Sequence, residues 1–121
     1  QEGQVWEASM FAGAKHLDNL CVIVDNNNLQ IDGAVSDVMS PYPIDEKFAA
    51  FGLFVQTVDG HDFDAIDAAV KRAEQEKGRP SAIVLKTVKG KGVSFMENQV
   101  GWHGKAPSAQ ELAQAAKELG V

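Results

Sequence analysis

Residues 21–33 read CVIVDNNNLQIDG, and the way this stretch begins decides the fold. Leu20 to Val24 is a short continuous apolar run, the pattern of a strand covered on both faces in a parallel sheet. It stops at Asp25 and three consecutive asparagines, which make poor strands and good turns. Two similar runs follow at residues 53–58, ended by Asp59-Gly60, and at residues 82–85. Between the runs lie helical patterns. Residues 3–16 carry Val5, Ala8, Ala12 and His16 at helical spacing, with Trp6, Met10 and Phe11 widening the stripe. A short helix around residues 45–51 follows the Pro-containing Ser40-Pro41-Tyr42-Pro43 and closes at Gly52. Asp62 can cap a helix whose inner face is Phe63, Ile66, Val70 and Ala73. Asp64 and Asp67 near its start and Lys71 and Arg72 near its end suit the helix dipole. Ser108 and Glu111 make a capping box ahead of an apolar face of Leu112, Ala115, Ala116 and Leu119. Helices alternating with apolar strands predict an α/β architecture: a mostly parallel sheet with helices on both faces.

The composition agrees with a globular domain. The 121 residues are 45% hydrophobic and 23% charged, which fits a single domain over residues 1–121 or a piece of one. A net charge of −6 argues against nucleic acid and anionic membranes as partners. No apolar run approaches the length of a membrane span and no signal peptide opens the sequence, so the expected location is the cytoplasm. Cys21, the sole cysteine, sits in an apolar run and reads as a reduced core residue. The sequence opens with QEGQVWEAS, already within what reads as the first turn of a helix. The expectation is a piece of a longer chain.

Open parallel sheets bind ligands at the carboxyl ends of their strands, which directs attention to loops 25–33, 59–61 and 87–105. Asp25-Asn26-Asn27-Asn28 offers carboxylate and amide oxygens, hard donors of the kind Mg²⁺ or Ca²⁺ takes. Spacing alone also fits a plain Asx-rich turn. Residues 86–105, KTVKGKGVSFMENQVGWHGK, combine glycines, which let backbone N–H groups approach an anion, with lysine charge. The P-loop spacing is absent from them. Within this segment His103, between Trp102 and Gly104, can act as acid, base or phosphate donor, or be a solvated loop residue. His16 and His61 read as structural, and Glu2 as a partner of the helix dipole.

Taken in order, EGQVWEA, the D-x-N-x-L-Q-I-D-G run and the late WHGK closely resemble the thiamine-diphosphate-binding part of transketolases. The match extends over the whole chain and is closest to the short amino-terminal subunit of split enzymes. The resemblance implies the thiamine-diphosphate-binding fold and transfer of a two-carbon ketol group between sugar phosphates, as in the pentose phosphate pathway. It implies thiamine diphosphate and Mg²⁺ (or Ca²⁺) as cofactors. Asn27 would hold the metal through its side chain and Leu29 through its carbonyl, with Ile31 packed against the cofactor. Asn26 and Asn28 would form the turn. His103 would contact the diphosphate and serve catalysis, and Glu2 would be the acid near cofactor and subunit interface. A carboxy-terminal transketolase subunit or domain would complete the site, in a homodimer or heterotetramer. The family's Gly-Asp-Gly would lie just before Gln1. A deoxyxylulose phosphate synthase, a two-oxo acid dehydrogenase component and a non-catalytic assembly module remain open at this stage.

Overall fold

A computed structural model describes residues 2–121. In chain order the elements are α1 (Gly3–Ala14), β1 (Cys21–Asn26), β2 (Leu29–Gln30), β3 (Gly33–Ala34), α2 (Val35–Val38) and α3 (Ile44–Ala50). They continue with β4 (Phe54–Asp59), α4 (Phe63–Gln75), β5 (Ser81–Lys86), a 3₁₀ turn at Val100–Trp102, and α5 (Ala109–Leu119). Two compact units result. The first holds the chain up to Asn26 together with Pro41–Lys86, and the second holds Asn27–Ser40 with Thr87–Val121.

The first unit is built on a parallel sheet in the order β1-β5-β4. Ile83 of the central strand pairs with Ile23 on one side and Gln56 on the other. β5 is buried from Ser81 to Val84 because helices cover both of its faces. On one face Ala82 and Val84 pack with Leu53 and with Ile44 and Phe48 of α3, and Trp6 of α1 closes over them. On the other, Ile83 packs against Ala69 and Ala73 of α4. Buried Gln56 is satisfied by α4: its amide donates to the Ala69 carbonyl (2.9 Å), and its oxygen accepts from Arg72 Nε. The expected parallel sheet between helices is therefore present, and Asp62 caps α4 by accepting from the Ala65 amide at 3.0 Å.

Several expected burial patterns need correction. β1 is covered on one face only. α4 packs over β4 and β5, while Cys21, Ile23 and Asp25 alternate outward, with Ile23 57% exposed. Cys21 is thus exposed rather than a core residue, and its residual burial pushes the thiol up from its ordinary value. Phe63, placed on the inner face of α4, is 85% exposed, since it is the first helical residue and precedes the turns that reach the sheet. α1 ends at Ala14 and buries Ser9, Ala12 and Gly13, leaving Val5, Met10 and Phe11 exposed. Its contact face is small because α3 ends against it: a Cβ on Gly13 would lie 1.9 Å from the Phe51 carbonyl oxygen. His16 lies beyond the helix with φ +54, and its Nδ1 bonds the Gly78 carbonyl at 2.9 Å.

In the second unit, β2 and β3 form a two-residue antiparallel ladder, Leu29 opposite Ala34 and Gln30 opposite Gly33. The capping box of α5 forms as expected, with Glu111 N donating to Ser108 Oγ (3.3 Å) and Ser108 N to Glu111 Oε2 (2.7 Å). Of the face expected on α5, Ala115 is buried and Ala116 half-buried, but Leu112 and Leu119 are exposed.

Candidate functional site

The three asparagines stand at the carboxyl end of β1, and the backbone gives each a separate task. Asn26 is the last strand residue, half-buried, and its Oδ1 accepts from the Tyr42 hydroxyl at 2.9 Å. It is therefore not the turn former the resemblance implied. Asn27 makes an Asx turn: its Oδ1 accepts from the Leu29 amide at 3.0 Å. Asn28 adopts φ +62, a left-handed conformation that asparagine tolerates, and its carbonyl accepts from Val35 N at 3.0 Å. The hairpin β2–β3 follows, with Ile31 at its tip and 65% exposed.

The glycine-punctuated loop after β5 folds on itself instead of opening as an anion cradle. Lys91 N bonds the Val88 carbonyl, Val93 N that of Gly90, and Asn98 N that of Lys89. Gly92 N donates to Glu97 Oε1 at 3.0 Å. Gly90 has φ +71, and a Cβ there would sit 2.6 Å from the Met96 carbonyl oxygen, so the glycine serves the loop's own closure.

The loop ends in the 3₁₀ turn that carries His103. The His103 amide bonds the Val100 carbonyl at 2.9 Å, and the residue itself is exposed. Its neighbour Trp102 is fixed on three sides. The indole N–H donates to the Phe95 carbonyl (3.0 Å), the ring packs tilted against Phe95 (5.3 Å), and Lys105 Nζ lies 4.0 Å from its centroid. Lys105 in turn pairs with Glu111 at 3.2 Å. The Ser108 amide, then the Ser108 hydroxyl, then Lys105 hold the Glu111 carboxyl below the usual range.

Glu2 belongs to the first unit. It is the N-cap residue of α1 and makes no capping bond, its carboxylate accepting instead from the Gln4 amide. With Val5, Trp6, Val24, Pro41 and Phe48 it lines a cavity of about 200 Å³. Asn27, Leu29 and Ile31 thus share one short hairpin segment, His103 stands on a separate loop of the same unit, and Glu2 stands in the other unit. Sequence reasoning passed over Tyr42, whose only signal is the pair of flanking prolines.

The parallel sheet with helices on both faces places the protein among the open α/β folds. Within that class, a family model described as "Transketolase, thiamine diphosphate binding domain" matches residues 1–121, and the chain belongs to that family. It is 43% identical to the 6-deoxy-6-sulfo-D-fructose transketolase subunit SqwG of Clostridium sp., over 98% of this chain and 43% of that protein. It is 37% identical to an apulose-4-phosphate transketolase subunit of Actinobacillus succinogenes, over 98% of this chain and 42% of that protein. The chain therefore spans about two-fifths of the length of these relatives. Transketolase from Campylobacter jejuni matches in structure with a TM-score of 0.90 at 32% identity, over 99% of this chain and 19% of that one.

Proposed function

We propose that this domain works in a transketolase that moves a two-carbon ketol group between sugar phosphates, with thiamine diphosphate and a divalent cation. The Asx turn at Asn27 carries the reading. Among the described residues no group of three or more His, Cys, Asp or Glu side chains could hold a metal. Asn27 Oδ1 and the Leu29 carbonyl are neutral hard oxygens, which Mg²⁺ or Ca²⁺ accepts as part of a larger oxygen shell. Oδ1 already accepts the Leu29 amide, which orients it and leaves a lone pair free. Such a pair fits a cation whose charge is balanced by diphosphate rather than by a cage of side-chain carboxylates. When bound, thiamine diphosphate supplies the electron sink for breaking and forming the carbon–carbon bond.

The chain's own residues then have distinct tasks. Asn27 and Leu29 hold the cation, and exposed Ile31 packs against the cofactor. His103, exposed on its turn, contacts the diphosphate and moves a proton to or from substrate. Glu2 lies near the cofactor and the interface with a carboxy-terminal transketolase subunit or domain, in a homodimer or heterotetramer. Residues 1–121 act as one domain of that assembly, in the cytoplasm. The names of the relatives support a transketolase with a divided assembly; the apulose-4-phosphate name supports a sugar phosphate substrate, while the other names a sulfonated sugar.

Calorimetric titration of the complete protein and its partner with thiamine diphosphate, with and without Mg²⁺, tests the reading. Saturable binding should require Mg²⁺, and Asn27→Ala should weaken it more than Asn28→Ala. Equal effects of the two substitutions, or binding indifferent to Mg²⁺, would reject Asn27 as the anchor.

A further inference from the structure

The strap between α2 and α3 has a role the proposed reading leaves unassigned. Pro41 and Tyr42 cross the carboxyl end of the sheet, where Tyr42, Asn26, Ile44, Thr57 and Lys86 are among the residues lining a cleft of about 60 Å³. The strap is held from below. Lys47 Nζ donates to the Pro41 carbonyl (2.6 Å) and the Tyr42 carbonyl (3.1 Å) and lies 5.6 Å from the Trp6 ring centroid. Lys47 is placed by α3, whose Ile44 and Phe48 are buried in the core. The ring of Tyr42 is therefore carried by a backbone tied to packed elements. Its hydroxyl donates to Asn26 Oδ1.

Both partners of that bond belong to the first unit, and they stand where the segment Asn27–Ser40 leaves it and where it returns. Asn26 is bonded covalently to Asn27. Engaging Asn26 Oδ1 orients that side chain and fixes the residue from which the Asx turn springs.

We propose that Tyr42 is a positioning residue for the cation: by clasping Asn26 it sets the root of the turn that presents Asn27 Oδ1 and the Leu29 carbonyl. This rests on the reading of Asn27 and Leu29 as cation ligands. Tyr42 itself touches neither cation nor substrate. Tyr42 is 41% exposed, and Tyr42→Phe keeps the ring and removes only its hydroxyl. A single exposed hydrogen bond contributes little to overall stability, and the effect should appear in metal affinity rather than in folding.

The experiment measures the apparent Kd of Mg²⁺ at saturating thiamine diphosphate in the complete protein with its partner, by calorimetry. The urea midpoint is followed in parallel without cofactor or metal. Tyr42→Phe should weaken Mg²⁺ binding by about 3- to 10-fold, the scale of one net hydrogen bond, with the urea midpoint almost unchanged. Asn26→Ala should do the same, and the double variant should be no weaker than either single one, because both remove the same bond. Unchanged Mg²⁺ affinity in Tyr42→Phe, alongside a large loss in Asn27→Ala, would overturn the clasp and leave the cation reading standing. Unchanged affinity in Asn27→Ala would overturn the cation reading and the clasp with it. Additive losses in the double variant would also overturn the clasp.

Discussion

Replacing Gly13 by alanine should destabilise the protein although alanine is the better helix former. In an exposed helix interior the exchange gains about 1 kcal/mol. Here the added Cβ would lie 1.9 Å from the Phe51 carbonyl oxygen and 3.1 Å from its carbon, where real Cβ contacts stay above 3.0 Å. The obstacle is backbone at the end of α3, so no side chain can swing aside. α1 has to retreat by about 1 Å, and the retreat loosens the packing of Trp6 against Phe48 and Phe51, whose centroids are 5.4 and 6.4 Å away. Overpacking of a tight contact costs about 1–3 kcal/mol, occasionally more. With a clash this deep against backbone, the cost belongs at or above the top of that range, and after the propensity gain a net loss of about 2 kcal/mol remains. Gly3→Ala is the internal control. Nothing lies within 4 Å of a Cβ there, so it should be neutral or slightly stabilising. Urea unfolding followed by far-ultraviolet circular dichroism and tryptophan fluorescence reads both. A Gly13→Ala protein as stable as the parent would refute the close approach of the two helices.

Two further outcomes are expected. His103→Ala should lower kcat/KM of the complete enzyme by about 100-fold or more without loss of helix content, because His103 sits on an exposed turn; activity within twofold of the parent would reject its role. Glu118 is held below its ordinary 4.5, first by the Gln114 amide and then by the Ser94 N–H and hydroxyl. Its contribution to stability is present above that value and lost as the pH falls through the lower folded value. The urea midpoints of parent and Glu118→Gln should differ at pH 7 and converge as the pH falls below 4.5 through the lower folded value, and a difference that does not shrink on acidification would dismiss these contacts as stabilising.

Signals carried by local chemistry were legible in the sequence, and those that depend on distance between elements were not. The Asp62 cap and the Ser108–Glu111 capping box lie within three residues of their partners, and both form as the spacing requires. The central strand was legible because a continuous apolar run needs cover on both faces, and β5 has it. The same reasoning misjudged β1, whose run has the same character. Whether a second face is covered depends on which helix lies over it, and α4 lies over β4 and β5. In α1 the spacing rightly placed Trp6 and Ala12 on the packed side, but it also placed there Val5, Ala8, Met10 and Phe11, which are exposed, and passed over Ser9 and Gly13, which are buried. Periodicity reports where bulk would be useful and carries no term for how close the neighbouring helix comes.

The candidate site shows the same division within three identical letters. Asn26, Asn27 and Asn28 have the same side chain and the same intrinsic preference for turns, so no propensity can separate them. Their tasks are separated by backbone and by reach. One is extended at the end of a strand and receives a hydroxyl from 16 residues away. The next turns its oxygen onto an amide two residues on. The third takes a left-handed φ that lets the hairpin begin. The Asx turn has a local signature, and the resemblance pointed to Asn27 in it. The Tyr42 bond has none, since it exists only because buried Ile44 and Phe48 fix α3, and Lys47 on that helix ties the strap across the sheet. Under the role proposed for Tyr42, its substitution should be read in metal affinity, whereas substituting Gly13, which meets the Phe51 backbone, should be read in stability.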